Sequence, residues 1–175
     1  LEFCPGVFIA NTPRGGTINS SVGCTFRACR FLWNKAQTTT SSCITTSAGT
    51  TTLADTLFLG CGTYGHGYNA SAVVNLAAGP MTNCVFTRCY SRERLDSSLV
   101  VNNSGTLSDL VFSNNTSFAQ AGKTVPILTG QTLSLKRCLF ANNIVRAKPV
   151  AGASYAVVGC NQKNRNIDFD GVTFR

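Results

Sequence analysis

Six copies of one short pattern recur along this chain, each closing on phenylalanine: Ser21–Phe26, Leu53–Phe58, Met81–Phe86, Leu107–Phe112, Leu135–Phe140 and Phe169–Phe174. The closing phenylalanines stand 32, 28, 26, 28 and 34 residues apart. A unit of that length cannot bury an apolar face alone, so copies must stack on their neighbours, and the chain is constrained toward a solenoid. Within the pattern, Leu53, Met81, Leu107 and Leu135 occupy one position, and Thr56, Cys84, Leu110 and Cys138 another, two residues before the phenylalanine. Three residues beyond the first five phenylalanines come Cys29, Cys61, Cys89, Asn115 and Asn143.

A weaker element precedes most copies: Phe8–Asn11, Ala72–Asn75, Leu99–Asn102, Pro126–Thr129 and Ala156–Gly159, each short, apolar and followed by turn residues. In the Thr/Ser-rich stretch from Thr38 to Thr52 only Cys43-Ile44 can serve. No apolar period of 3.6 residues runs long enough for a helix. The pattern predicts an all-β chain, a right-handed parallel β-helix of about five to six coils of roughly 26–34 residues. Strands then stack about 4.8 Å apart. Phe26, Phe58, Phe86, Phe112, Phe140 and Phe174 are expected in one inward ladder, and Cys24, Thr56, Cys84, Leu110, Cys138 and Val172 in a second. The Cys29-to-Asn143 column should lie at a corner, where a side-chain amide can satisfy turning backbone and a thiol packs as a small apolar group.

Composition narrows the function classes. Fifteen Lys and Arg against seven Asp and Glu give +8, but the charge is spread along the chain without a block, and nucleic acid is not indicated. No run approaches the roughly 18 apolar residues of a membrane span. Leu1-Glu2-Phe3 has neither an initiating Met nor a signal-peptide pattern, so residues 1–175 read as one segment internal to a longer protein. The nine cysteines show no paired zinc-ribbon spacing, and their number is odd.

Candidate chemistry is thin. Glycoside hydrolysis needs two carboxylates about 5–9.5 Å apart across one bond. Asp55 and Asp109 share a corner position with Asn83 between them, which places their backbones about 10 Å apart. Asp168 and Asp170 form the other close pair and are expected to diverge across a corner. Asp and Asn favour such corners because their side chains bond local amides. Arg88, Arg92, Arg94, Lys136 and Arg137 could serve an anionic glycan, and Tyr64, His66 and Tyr68 could stack on a sugar. A solitary histidine gives no oriented base for a Cys or Ser nucleophile. No catalytic, cofactor or metal residue is assigned.

Phe31-Leu-Trp-Asn34, Phe112-Ser-Asn-Asn115 and Phe140-Ala-Asn-Asn143, with Gly15-Gly-Thr-Ile18, resemble the FxxN and GGA[ILV] motifs of the polymorphic outer membrane protein repeats. More broadly the chain resembles pectate-lyase-like right-handed β-helices. The first resemblance implies a passenger-type β-helix associated with adhesion. The expectation is therefore a non-enzymatic structural or adhesive segment of a cell-surface or extracellular protein or assembly. Its partners would be the rest of the polypeptide, neighbouring copies, or anionic surface glycans. The alternative is a module that binds or cleaves polysaccharide. A partner surface is expected on the outward position before each repeat phenylalanine, at Leu57, Val85, Val111 and Leu139, with Thr25 and Thr173 at its ends. Asn19, Asn69, Asn102 and Asn114 begin glycan-acceptor sequons, as does Asn115, which the inward ladder should shield.

Overall fold

The computed structural model describes residues 1–3, 5–11, 17–36, 41–63, 73–91, 98–119, 126–147, 156–160 and 166–175. All regular structure among them is short parallel strand, arranged in four sheets. Sheet 1 stacks Glu2–Phe3, Thr25–Arg27, Thr52–Ala54, Met81–Thr82, Ser104–Ser108, Thr132–Lys136 and Ile167–Asp170. Sheet 2 stacks Val7–Ile9, Arg30–Leu32, Leu57–Leu59, Val85–Thr87, Val111–Ser113, Leu139–Ala141 and Thr173–Phe174. Sheet 3 holds Lys35–Ala36, Gly62–Thr63, Tyr90–Ser91, Thr116–Ala119 and Ile144–Ala147. Sheet 4 holds Ile18–Ser20, Ile44–Thr50, Val74–Ala78, Val100–Asn102, Leu128–Gly130 and Val158–Cys160. The chain visits the sheets in that order and returns, which makes a parallel β-solenoid. Five successive coils, beginning at Thr25, give a strand to every sheet.

Two single-residue corners turn the chain from sheet 1 to sheet 2 and from sheet 2 to sheet 3. At the first, Ala28, Asp55, Asn83, Asp109 and Arg137 have φ of 54, 52, 51, 57 and 51°, and Gly171 follows at 62°. At the second, Ala10, Trp33, Gly60, Arg88, Asn114 and Asn142 have φ of 51, 58, 63, 53, 56 and 53°. The left-handed conformation costs an ordinary L-residue roughly 1–2 kcal/mol, less for Asn and Asp, whose side chains bond locally, and nothing for Gly. Those three types fill most of the corner positions. The exceptions, Ala10, Ala28, Trp33, Arg88 and Arg137, each donate their backbone N–H to a carbonyl of the next coil.

Inside, Phe8, Phe31, Phe58, Phe86, Phe112, Phe140 and Phe174 form a continuous stack with successive ring centroids 4.6, 5.0, 4.5, 4.9, 4.7 and 5.1 Å apart. The strand spacing of about 4.7–4.9 Å imposes this face-to-face geometry, although isolated rings prefer offset or edge contacts. Leu53, Met81, Leu107 and Leu135 line sheet 1 with no exposure, and Thr56, Cys84, Leu110 and Cys138 are buried as expected.

The first copy is in a different register from the one its sequence suggests. Phe26 pairs with Leu53 in sheet 1, and Phe31 pairs with Phe58 in sheet 2. The two phenylalanines are five residues apart, the same offset that separates Leu53 from Phe58 across the first corner. Both alignments therefore bring apolar residues inward. The observed one also places Asn34 in the column of Cys61, where its amide reaches two backbone groups of the preceding coil. As a result Cys29, not Cys24, shares the column of Thr56 and Cys84. Thr25 leaves the expected outward stripe, and Arg30 takes its place. Phe8–Asn11 likewise belongs to the phenylalanine column. Ile18–Ser20 fills its supposed place in sheet 4, opposite Ile44–Thr46.

Candidate functional site

Sheet 2 presents the surface that the sequence singles out. Leu57, Val85, Val111 and Leu139 are register partners in adjacent strands. Each alternates with a fully buried or nearly buried phenylalanine and so points outward, half-buried by its neighbours above and below. Arg30 and Val7 extend this column at one end and Thr173 at the other. A second outward column lies two residues on: Ile9, Leu32, Leu59, Thr87, Ser113 and Ala141. It is apolar in the first three coils and then turns polar, where the Ser113 hydroxyl donates to Thr87 Oγ1 at 3.0 Å.

Trp33 extends the apolar area from the second corner, 46% exposed. Its ring lies on Gly60 so closely that a Cβ there would sit 2.1 Å from it, and glycine is the residue that lets the indole lie flat. Sequence reading missed Ile9, Leu32, Trp33 and Leu59. For Ile9, Leu32 and Leu59 the signal was available: the residue after each phenylalanine has the same outward direction as the residue before it.

The outer face of sheet 1 differs. Its outward residues include Arg27, Ala54, Thr82, Ser108, Lys136 and Asp170 in register, a mostly polar row in which Thr82 and Ser108 hydroxyls lie 3.3 Å apart.

The carboxylates do not assemble as a catalytic pair. Asp109 accepts two hydrogen bonds from Arg137, Nε to Oδ1 and Nη2 to Oδ2, both 2.7 Å. That bidentate bond holds the Asp109 carboxyl below its ordinary range. Asp55 accepts from Asn83 Nδ2 at 2.8 Å. Each carboxylate is thus engaged by its own vertical neighbour. Asp168 and Asp170 do not straddle a corner; they lie two apart on one strand and share its outer face, Asp170 opposite Lys136. Arg88 stands at the second corner, with sheet 2 between it and Arg137 at the first. Arg92, Arg94, Tyr64, His66, Tyr68 and Asn69 lie outside the described residues, as do Gly15 and Gly16.

The inward corner column contains the most specific chemistry. Asn34 Nδ2 donates to the Phe8 carbonyl at 2.9 Å, and its Oδ1 accepts from the Asn11 backbone N–H at 3.0 Å. Asn115 repeats this with Phe86 and Cys89, both at 2.9 Å, and Asn143 with Phe112 at 2.8 Å and Asn115 at 3.1 Å. In the two middle coils thiols take over both duties. Cys61 donates to the Phe31 carbonyl at 3.2 Å and Cys89 to that of Phe58 at 3.4 Å. The Asn34 backbone N–H is directed to the Cys61 sulfur, and the Cys61 N–H to Cys89. Cys43, outside this ladder, is fully buried with its sulfur 3.6 Å from Ser42 Oγ. Burial pushes the Cys84 thiol up to about 11.

Of the sequons, Asn19 and Asn114 are exposed. Asn102 is fully buried, its Nδ2 donating to the Gly79 carbonyl at 2.8 Å, so the folded coil does not present it as an acceptor. Asn115 is also fully buried.

No family model matches the chain, and no curated protein matches it. What the structure shows is the fold alone: a parallel β-solenoid of stacked coils.

Proposed function

We propose that this chain is a non-enzymatic structural or adhesive solenoid segment of a cell-surface or extracellular protein or assembly, and that it associates with neighbouring copies through the outer face of sheet 2. The observation that carries this reading is the row Leu57, Val85, Val111 and Leu139: four successive coils place an apolar side chain at one outward position beside the polar face of sheet 1. Removing such area from water contributes about 25 cal/mol per Å², and a contiguous apolar patch on an outer face is characteristic of an interaction surface. The Phe-to-Asn rungs at Asn11, Asn34, Asn115 and Asn143 support the finer kinship with polymorphic outer membrane protein repeats, which belongs to the same proposal.

The test is the double substitution Val85→Lys with Val111→Lys. Both side chains point outward, so the coil should keep its strand circular dichroism and melt within a few degrees of the parent, while self-association measured by sedimentation is lost. An unchanged sedimentation profile in a correctly folded double variant would overturn the assignment of this face.

A further inference from the structure

Around the second corner, three successive coils set their outward residues in a pattern that breaks the ladder of like residues. The corner position holds Trp33, Gly60 and Arg88, with φ of 58, 63 and 53°. Two residues on, at the outward position of sheet 3, Lys35, Gly62 and Tyr90 are register partners. The middle coil therefore shows two glycines. The coil before it shows an aromatic and then a cation, and the coil after it a cation and then an aromatic. Both rings lean over the bare middle coil. The Trp33 indole lies flat on Gly60, and a Cβ on Gly62 would sit 2.8 Å from both Cδ2 and Cε2 of Tyr90 and would also meet the Tyr90 carbonyl oxygen. Gly62 does not have a left-handed φ, so what requires glycine there is the close approach of Tyr90 and not a turn. Trp33 is 46% exposed, Tyr90 is half-buried, and Arg88 and Lys35 are both exposed. Arg88 has no ion-pair partner among the described residues. The corner is thus an aromatic platform with a cation at each of its two remaining places.

We propose that this corner binds an acidic saccharide, with a sugar ring stacked on the Trp33 indole and a carboxylate or sulfate group held by Arg88.

The chemistry of the four side chains selects this ligand. One face of a pyranose is a flat array of C–H groups, which packs on the electron-rich face of an aromatic ring. The acidic groups of such a sugar project from its rim, where the planar guanidinium of Arg88 can take one with two parallel hydrogen bonds and the Lys35 ammonium can attract another. A purely apolar partner would cover the rings but strip water from two cations without replacing it. The net charge of +8 adds a general attraction for a polyanion. The inference rests on the adhesive reading, for which it names a ligand, but not on self-association through the outer face of sheet 2. Sedimentation tests that association separately, so either can fail without the other.

Trp33 is the one tryptophan of the chain, so its emission reports on the site itself. The experiment titrates the 175-residue chain with a heparin oligosaccharide at low salt, following tryptophan fluorescence and calorimetric heat together, and repeats the titration with a neutral maltodextrin of equal length. The expected result is a saturable change in emission with heparin, weakening as salt is added, and none with maltodextrin. Arg88→Gln should weaken binding by about threefold. Trp33→Ala, read by calorimetry, should weaken it by about tenfold. Arg27→Gln, which removes an exposed cation from the outer face of sheet 1, should leave it unchanged. Strand circular dichroism checks that each variant is folded. Heparin binding by calorimetry without a change in Trp33 emission would overturn the proposal, as would an equal loss in Arg27→Gln and Arg88→Gln, equal binding of maltodextrin, or no binding at all.

Discussion

The inward corner column can be compared with itself. At its ends asparagine answers the turning backbone, at Asn34 and again at Asn115 and Asn143; in the middle Cys61 and Cys89 do so. The geometry is conserved across the change: one donor reaches a phenylalanine carbonyl and one acceptor receives a backbone N–H. The strength is not, because an amide offers a strong donor and a strong acceptor and a thiol is weak as both. Carbonyl contacts lengthen from 2.8–2.9 Å for the amides to 3.2 and 3.4 Å for the thiols. The middle coils thus hold the same fold with less polar stabilisation at the corner.

The largest effect should come from breaking the amide side of the comparison. Asn115→Ala strands two buried backbone groups, the Cys89 N–H and the Phe86 carbonyl, at about 1–3 kcal/mol each, so chemical denaturation should show a loss of about 3–5 kcal/mol. A loss below about 1 kcal/mol would mean that the corner backbone finds other partners.

The next effect is on pH. The raised thiol of Cys84 means that the folded state holds this proton more tightly than the unfolded chain does. The resulting stabilisation is complete below the ordinary thiol pKa and is lost as pH rises through about 11. It is on the order of 2–3 kcal/mol. Melts in reducing buffer should therefore fall between about pH 9 and pH 11, and fall less in Cys84→Val, the remaining loss coming from Cys43, Cys89 and Cys138, whose thiols burial also raises. An equal alkaline loss in the variant would place its origin elsewhere.

The smallest effect tests the comparison in reverse. Cys89→Asn should stabilise by about 1 kcal/mol, since its amide can donate to the Phe58 carbonyl and accept from the Cys61 N–H in the geometry of Asn115. Destabilisation in that variant would show that the middle coils are too narrow for the larger amide.

Much of this was legible from the residues. The repeated phenylalanine, the inward Leu, Met, Cys and Thr columns and the corner at Asp55, Asn83 and Asp109 all follow from period-2 alternation and turn chemistry, which are local. The same locality explains the failures. Phe26 and Phe31 are equally apolar and one corner apart, so counting residues could not choose between them. The outward row was correct in its middle and wrong at its end for that reason. Asn102 shows the same limit: its sequon is visible in the chain, and its burial is not.

The sequence by itself determined that short strands must stack in coils of like residues, because a unit that cannot cover its own apolar face has no other way to exclude water. The tertiary structure decided the register of the first coil, through an asparagine amide that reaches backbone in the preceding coil. It also decided that Asn102 lies fully buried with its amide on the Gly79 carbonyl. Both outcomes depend on distances between residues far apart in the chain, which become definite only when the coils close.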